Sequence, residues 1–246
     1  MIKFAADLDS LFGGLPFLDR FEAAAAAGYR GVECRSPYGW PVEQIAHRLC
    51  QYGLELVQHA LPPASGGEGV SGTLDGATAT VAAAAAAQRA RRAELEQAVR
   101  YARALGVRQL SCPLPDGADG AAQLAGTAAL LRQHGLALVA ALRSAGGCGA
   151  AFAQVAALRS GGAENVYLQY RIDSSASADG AAAVLAGKLP LIRHVRLRDA
   201  AAPSAEPWLA LLDRLGYHGW VSCGAPRPNV RTEHAAPRSP VADTLA

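Results

Sequence analysis

Short runs rich in apolar and β-branched residues alternate with longer helix-forming runs from one end of this 246-residue chain to the other. The strand-like runs are Lys3–Leu8, Gly31–Cys34, Leu54–His59, Gln109–Cys112, Ala137–Leu142, Val166–Tyr170, Ile192–Leu197 and Trp220–Cys223. Between them lie helical stretches at Pro16–Ala27, Val42–Tyr52, Thr78–Leu105, Ala121–His134, Ala150–Arg159, Ala178–Ala186 and Glu206–Leu215. Gly28, Gly53, Gly106, Gly135 and Gly216 stand where a helix would end in the left-handed conformation, and a strand resumes soon after each. Strict β–α alternation demands a parallel sheet with helices outside it, and eight repeats predict a closed (β/α)8 barrel. After Gly224 the chain reads Ala-Pro-Arg-Pro-Asn, with further prolines at 237 and 240. Proline cannot continue a helix, so the last helix is expected to be reduced or missing. The expected organisation is one barrel domain over residues 1–225 and an irregular, proline-rich tail over 226–246.

Composition supports one large core and narrows the partners. Apolar residues make up 51% of the chain, and the formal net charge is only +2. That balance gives no general attraction to nucleic acid, and the arginines at 89, 91, 92, 100 and 103 share their helix with Glu94 and Glu96. The alanine run 82–87 is followed at once by arginines, so no membrane segment is expected. The five cysteines (34, 50, 112, 148, 223) are scattered and odd in number, which reads as buried, reduced thiols. Met1-Ile2-Lys3-Phe4 carries no secretory signature, and the expected location is cytoplasmic.

One long connection interrupts the rhythm. Leu61 to Gly76 contains Pro62-Pro63 and five glycines, and it follows the third strand. That position faces the C-terminal end of the barrel, where sites in this architecture are built, so the connection is expected to cover a site or lack order.

Several segments carry a resemblance. Phe4-Ala5-Ala6-Asp7-Leu8, Pro16-Phe17-Leu18-Asp19-Arg20-Phe21 and Ala27-Gly28-Tyr29-Arg30-Gly31-Val32-Glu33 are similar to the opening of hydroxypyruvate isomerases. So are the run from Leu95 to Gly106, the segment Asn165-Val166-Tyr167-Leu168-Gln169, and Gly216-Tyr217-His218-Gly219-Trp220-Val221-Ser222-Cys223. The resemblance implies a xylose-isomerase-like barrel. It also implies a divalent metal and two glutamates that move a proton between adjacent carbons, because an aldose–ketose interconversion needs a base, an acid and stabilisation of the enediolate.

The chain departs from the family pattern where that chemistry would sit. The expected glutamate on the fifth strand is Ala140, the sixth-strand aspartate is Arg171 with Ser174 in place of a following histidine, the seventh-strand glutamine is Arg196, and the eighth-strand glutamate is Gly224. The segment after the third strand is degraded to Ala60-Leu61-Pro62-Pro63-Ala64-Ser65. No metal and no other cofactor is therefore expected, and the family reaction should fall to background.

Two constellations remain. Arg171 and Arg196, with Arg198 and Arg35, are placed to bind a small anionic metabolite in bidentate fashion; the alternative is that they pair with Glu33, Asp173 or Asp199, or lie in solvent. Glu33 and His59, both near strand ends, form a candidate acid–base pair, against which stands a purely hydrogen-bonded scaffold. Asp7 also ends a strand, but nothing else selects it. Gly66-Gly67-Glu68-Gly69 lacks the Lys-Ser/Thr of a phosphate loop, Ser144 and Ser174 lack triad partners, and Trp208 and Trp220 read as core. Three readings follow. The first is a barrel that has lost its metal site and binds a small anion. The second is an isomerase of hydroxy-carbonyl compounds using other residues, and the third is an oligomeric or partner-bound structural component.

Overall fold

The computed structural model describes residues 2–62, 81–115, 117–142, 148–172, 178–197 and 205–224. Eight parallel strands close on themselves in chain order. They are β1 (Lys3–Asp7), β2 (Gly31–Cys34), β3 (Glu55–Ala60), β4 (Gln109–Pro113), β5 (Ala137–Ala141), β6 (Val166–Ile172), β7 (Ile192–Leu197) and β8 (Trp220–Cys223). The seam is shut by β1 against β8, with Lys3 opposite Trp220 and Ala6 opposite Cys223. The barrel expected from the alternation is the barrel found. The last helix, the tail from 226 and the connection from 63 to 76 lie outside the described residues.

The helices are α1 (Leu8–Leu11), α2 (Arg20–Ala26), α3 (Val42–Tyr52), α4 (Val81–Ala104), α5 (Gly117–Gln133), α6 (Cys148–Ser160), α7 (Ala178–Ala186) and α8 (Ala205–Arg214). Two local differences from the sequence expectation have clear causes. The stretch from Pro16 to Ala27 divides into a 3₁₀ turn at Phe17–Asp19 and then α2. The first strand stops at Asp7 because its carboxylate accepts from the Asp9 and Ser10 amides and starts the short α1. Helix ends obey the glycine signal: Gly53 and Gly135, at φ 62° and 70°, adopt a conformation that costs any other residue steric strain.

Alternate strand residues face the helices and form the main core with Phe21, Ile45, Leu131, Phe152 and Trp208. Cys34 and Cys223 are buried there, but Cys50 is exposed on α3 and Cys112 and Cys148 are half-buried, so the expectation of five buried thiols is corrected. All five are free thiols.

Two irregularities decide which side chains enter the lumen. Between β2 and β3, Val32 pairs with Leu56 and Glu33 with Gln58, so Val57 is an extra residue. Between β6 and β7, Leu168 pairs with Ile192 and Gln169 with His194, which makes Arg193 extra. A bulge shifts the alternation by one and reverses the face of everything beyond it.

At the N-terminal floor, Gly31 lies under the Trp220 indole. A methyl group there would approach Trp220 Cζ3 to 2.4 Å, and Lys3 Nζ stands 5.6 Å from the ring's centre. Overfilling so tight a contact typically costs about 1–3 kcal/mol. We expect Gly31→Ala to lose stability in that range in urea unfolding; an unchanged midpoint would show that Trp220 moves aside freely.

Candidate active site in the barrel mouth

The C-terminal ends of the strands surround a cavity of about 210 Å³ whose walls include Asp7, Glu33, Arg35, Gln169, Arg171 and Arg196. Its floor is a connected polar network. Arg196, from β7, reaches back to β1 and β2: its Nη2 donates to Asp7 Oδ2, and its Nη1 lies 3.4 Å from Glu33 Oε1. Both carboxylates are almost fully buried, at 6% and 5% side-chain exposure, whereas Arg196 keeps 28%. Buried charge persists only when paired in this way.

Glu33 is the hub. Its Oε2 accepts from Gln58 Nε2 at 2.7 Å and lies 3.0 Å from His194 Nε2. His194 Nε2 is also 3.0 Å from Ser222 Oγ, while its Nδ1 faces the Gln109 amide at 3.4 Å. Gln109 donates to Gln58 Oε1 at 3.1 Å, and Gln58 lies 3.4 Å from Gln169 Oε1. Burial pushes the Glu33 carboxyl up, but His194, Arg196 and the Gln58 amide together outweigh it and hold the group below its ordinary value. Asp7 goes the other way. Burial and the nearby Glu33 charge raise it, and Arg196 and Ser10 only partly offset them.

The arginines above this floor differ in their engagement. Arg171 stands beside Arg196 in the β6–β7 register, and among the described residues it makes no ion pair or hydrogen bond. Arg35 gives its backbone N–H to Asp9 Oδ2 at 2.6 Å, but its guanidinium is likewise unpaired there. Asp9 is met by Arg20 at 2.7 Å. Among the described residues, three carboxylates (Asp7, Asp9, Glu33) and three guanidiniums (Arg35, Arg171, Arg196) line the mouth, and Arg20 meets Asp9 from outside that lining. Of the expected pairings, Arg196 with Glu33 is found; Arg198, Asp173, Asp199 and Ser174 lie outside the described residues.

The expected Glu33–His59 pair is not formed. Because Val57 is extra, Gln58 takes the lumen position opposite Glu33 and His59 pairs with Cys34 instead. His59 is fully buried behind the strand, with Nδ1 3.0 Å from the Tyr38 hydroxyl and 3.3 Å from the Ala60 carbonyl. Burial holds its pKa down to about 4, so it is neutral at pH 7, and among the described residues Nε2 has no hydrogen-bond partner. Ala140 is a second correction. It pairs with Leu168 and packs outward, and Ala141, opposite Gln169, lines the mouth.

The strand polar residues Gln58, Gln109, Gln169, His194 and Ser222 were not singled out in the sequence. Their signal is present nonetheless: each interrupts an apolar strand, and each is buried with a partner.

The residues described at the mouth do not form a ligand set for the divalent ion that the family resemblance implies. Among the described residues no three His, Cys, Asp or Glu side chains come together to hold an ion. The two acids on the barrel axis already meet Arg196, and one of them also meets His194.

Comparison with known proteins follows the same lineage. No model of a known protein family matches the chain. It is 38% identical over 112 residues to the hydroxypyruvate isomerase of Escherichia coli, covering 46% of this chain and 40% of that protein. It is 35% identical over 122 residues to the 2-oxo-tetronate isomerase of Haemophilus influenzae, covering 48% and 44%. The matched stretch therefore spans less than half the length of either relative. Among solved structures, a family 2 AP endonuclease from Brucella melitensis superposes over 93% of this chain and 94% of its own, with TM-score 0.70 and 24% identity. A xylose isomerase-like TIM barrel protein from Mycobacterium smegmatis, solved in complex with magnesium, covers 90% and 89%, with TM-score 0.56 and 11% identity. At these identities the structures establish the fold alone.

Removing Arg196 should expose how much the floor depends on it. In the native protein its partners hold Glu33 below the ordinary carboxylate value, so its contribution is present above that ordinary value and is lost as pH falls through the folded one. In Arg196→Met two buried carboxylates lose their shared cation, and each then prefers to be protonated. Breaking a buried pair costs about 3 kcal/mol. We expect that loss in urea unfolding at pH 8, shrinking as pH falls through the folded value of Glu33; a loss independent of pH would assign Arg196 a packing role only.

Proposed function

We propose that this chain is a hydroxypyruvate isomerase-like TIM barrel, a reading supported by its similarity to the relatives above, and that its mouth binds a small organic anion through guanidinium groups, without a divalent metal. The observation that carries this is that the Arg171 and Arg35 guanidiniums at the mouth meet no carboxylate among the described residues, above a floor whose acids are already paired. A guanidinium offers parallel N–H donors that match a carboxylate in bidentate fashion. Arg196 forms the base of the site and supplies, toward Asp7 and Glu33, the compensation a metal ion would otherwise give. The natural ligand class is the hydroxy-carbonyl acids on which the relatives are named to act.

The same floor argues against the relatives' isomerisation. Proton transfer next to a carbonyl needs a base that is free to accept. Glu33 is held ionised, and so a weak base, by His194, Arg196 and Gln58. Cys112, at the cavity wall, is pushed up to about 12 by burial and stays protonated. His59, the other candidate base, lies behind the barrel wall. The mouth is thus a binding site derived from an isomerase, repurposed or catalytically degenerate.

Calorimetric titration with hydroxypyruvate tests this reading. Loss of a charged hydrogen-bond donor is worth about 1.5–3 kcal/mol, or roughly tenfold or more in affinity. We expect binding by the unmodified protein that weakens at least tenfold in Arg171→Gln, with no turnover on adding magnesium or manganese. Absence of binding in both proteins, or metal-dependent turnover of hydroxypyruvate, would overturn it.

A further inference from the structure

We infer that the opposite, N-terminal end of the barrel is a second binding site, for a small flat carboxylate. A cavity of about 470 Å³ opens there between the starts of β6, β7 and β8, with Tyr167, Arg193, Tyr217 and Trp220 in its lining alongside Leu189 and Pro190. Among the described residues no acidic side chain lines it.

Arg193 is the extra residue of the β7 bulge. The bulge turns it into the floor immediately before His194 enters the lumen. Its Nε donates to Gln109 Oε1 at 2.9 Å, and its guanidinium carbon stands 5.1 Å from the centre of the Tyr167 ring. These contacts fix the plane of the group and engage one donor. Among the described residues no carboxylate meets it, so both terminal nitrogens keep their hydrogens for a ligand. Arg159, 4.6 Å from the same ring, spends Nη1 on the backbone carbonyls of Glu164 and Val166 and brings no acid with it.

An oriented, half-buried guanidinium without a counter-charge matches a carboxylate in bidentate fashion. The aromatic and aliphatic walls favour a flat apolar body behind that carboxylate. The Tyr217 hydroxyl is held by the carbonyls of Arg193 and Trp220, at 3.3 and 3.0 Å, which keeps one wall in place.

Benzoate is the probe, and benzamide is its uncharged counterpart of the same shape. Titrations at pH 7, followed by NMR on the full chain, should give benzoate at least tenfold tighter binding than benzamide. Intermolecular NOEs should run from its ring protons to Trp220 and Tyr217, and Arg193→Gln should weaken benzoate at least tenfold. Should that variant fail to fold, the benzoate-to-benzamide ratio and the NOEs on the unmodified protein decide the matter alone. Equal binding of the two probes, NOEs confined to Cys112 and Ala141 at the mouth, or undiminished binding by folded Arg193→Gln would each overturn the inference.

Discussion

Arg196 joins three strands at the place where the barrel closes. From β7 it crosses β8 to grip Asp7 on β1 and Glu33 on β2. Two carboxylates this deeply buried and this close would repel each other and tend to take up protons. The shared guanidinium instead lets Glu33 stay ionised, and an ionised Glu33 orients His194 and Gln58 in turn. From those two the network descends through Gln109 to Arg193 at the other end of the barrel. A polar chain inside a low-dielectric lumen is favourable only when nearly every member is satisfied, and here each link depends on the one above it.

The two bulges make that chain geometrically available. A regular strand sends alternate side chains to the helix layer, which would leave the lumen fewer polar groups than the network uses. The extra residues, Val57 in β3 and Arg193 in β7, reset the alternation at the level where Gln58 and His194 must meet Glu33. The irregular strands and the buried charge are therefore two aspects of one arrangement. The bulges bring the partners in, and the ion pairs give a reason for the partners to be polar.

Much of the architecture was legible in the residues. The alternation of Val- and Leu-rich runs with alanine-rich helices names the barrel, and Gly53 marks a helix end to the residue. The arginines at 171 and 196 stand out because the family resemblance implies metal ligands at those positions, and both line the mouth. What could not be read was parity. Counting alternate residues from Leu56 places His59 in the lumen and Gln58 outside, and only the slip at Val57 reverses them. For Ala140 the strand's register against Leu168 decides the face, and neighbouring alanines give no polar clue. Likewise, the capping role of Asp7 is invisible without the turn that brings the Asp9 and Ser10 amides to its carboxylate.

The functional reading rests on charge at the mouth, where a guanidinium stands in contact with the acids that a cation would otherwise neutralise. The most direct measurement is a pH titration of the Glu33 carboxyl carbon by NMR in the intact protein. A midpoint below 4.5, unmoved by added magnesium, is the result expected of a carboxylate already compensated by Arg196 and His194. A midpoint above that value, or one that drops when magnesium is added, would show an acid still waiting for a metal and would contradict the account.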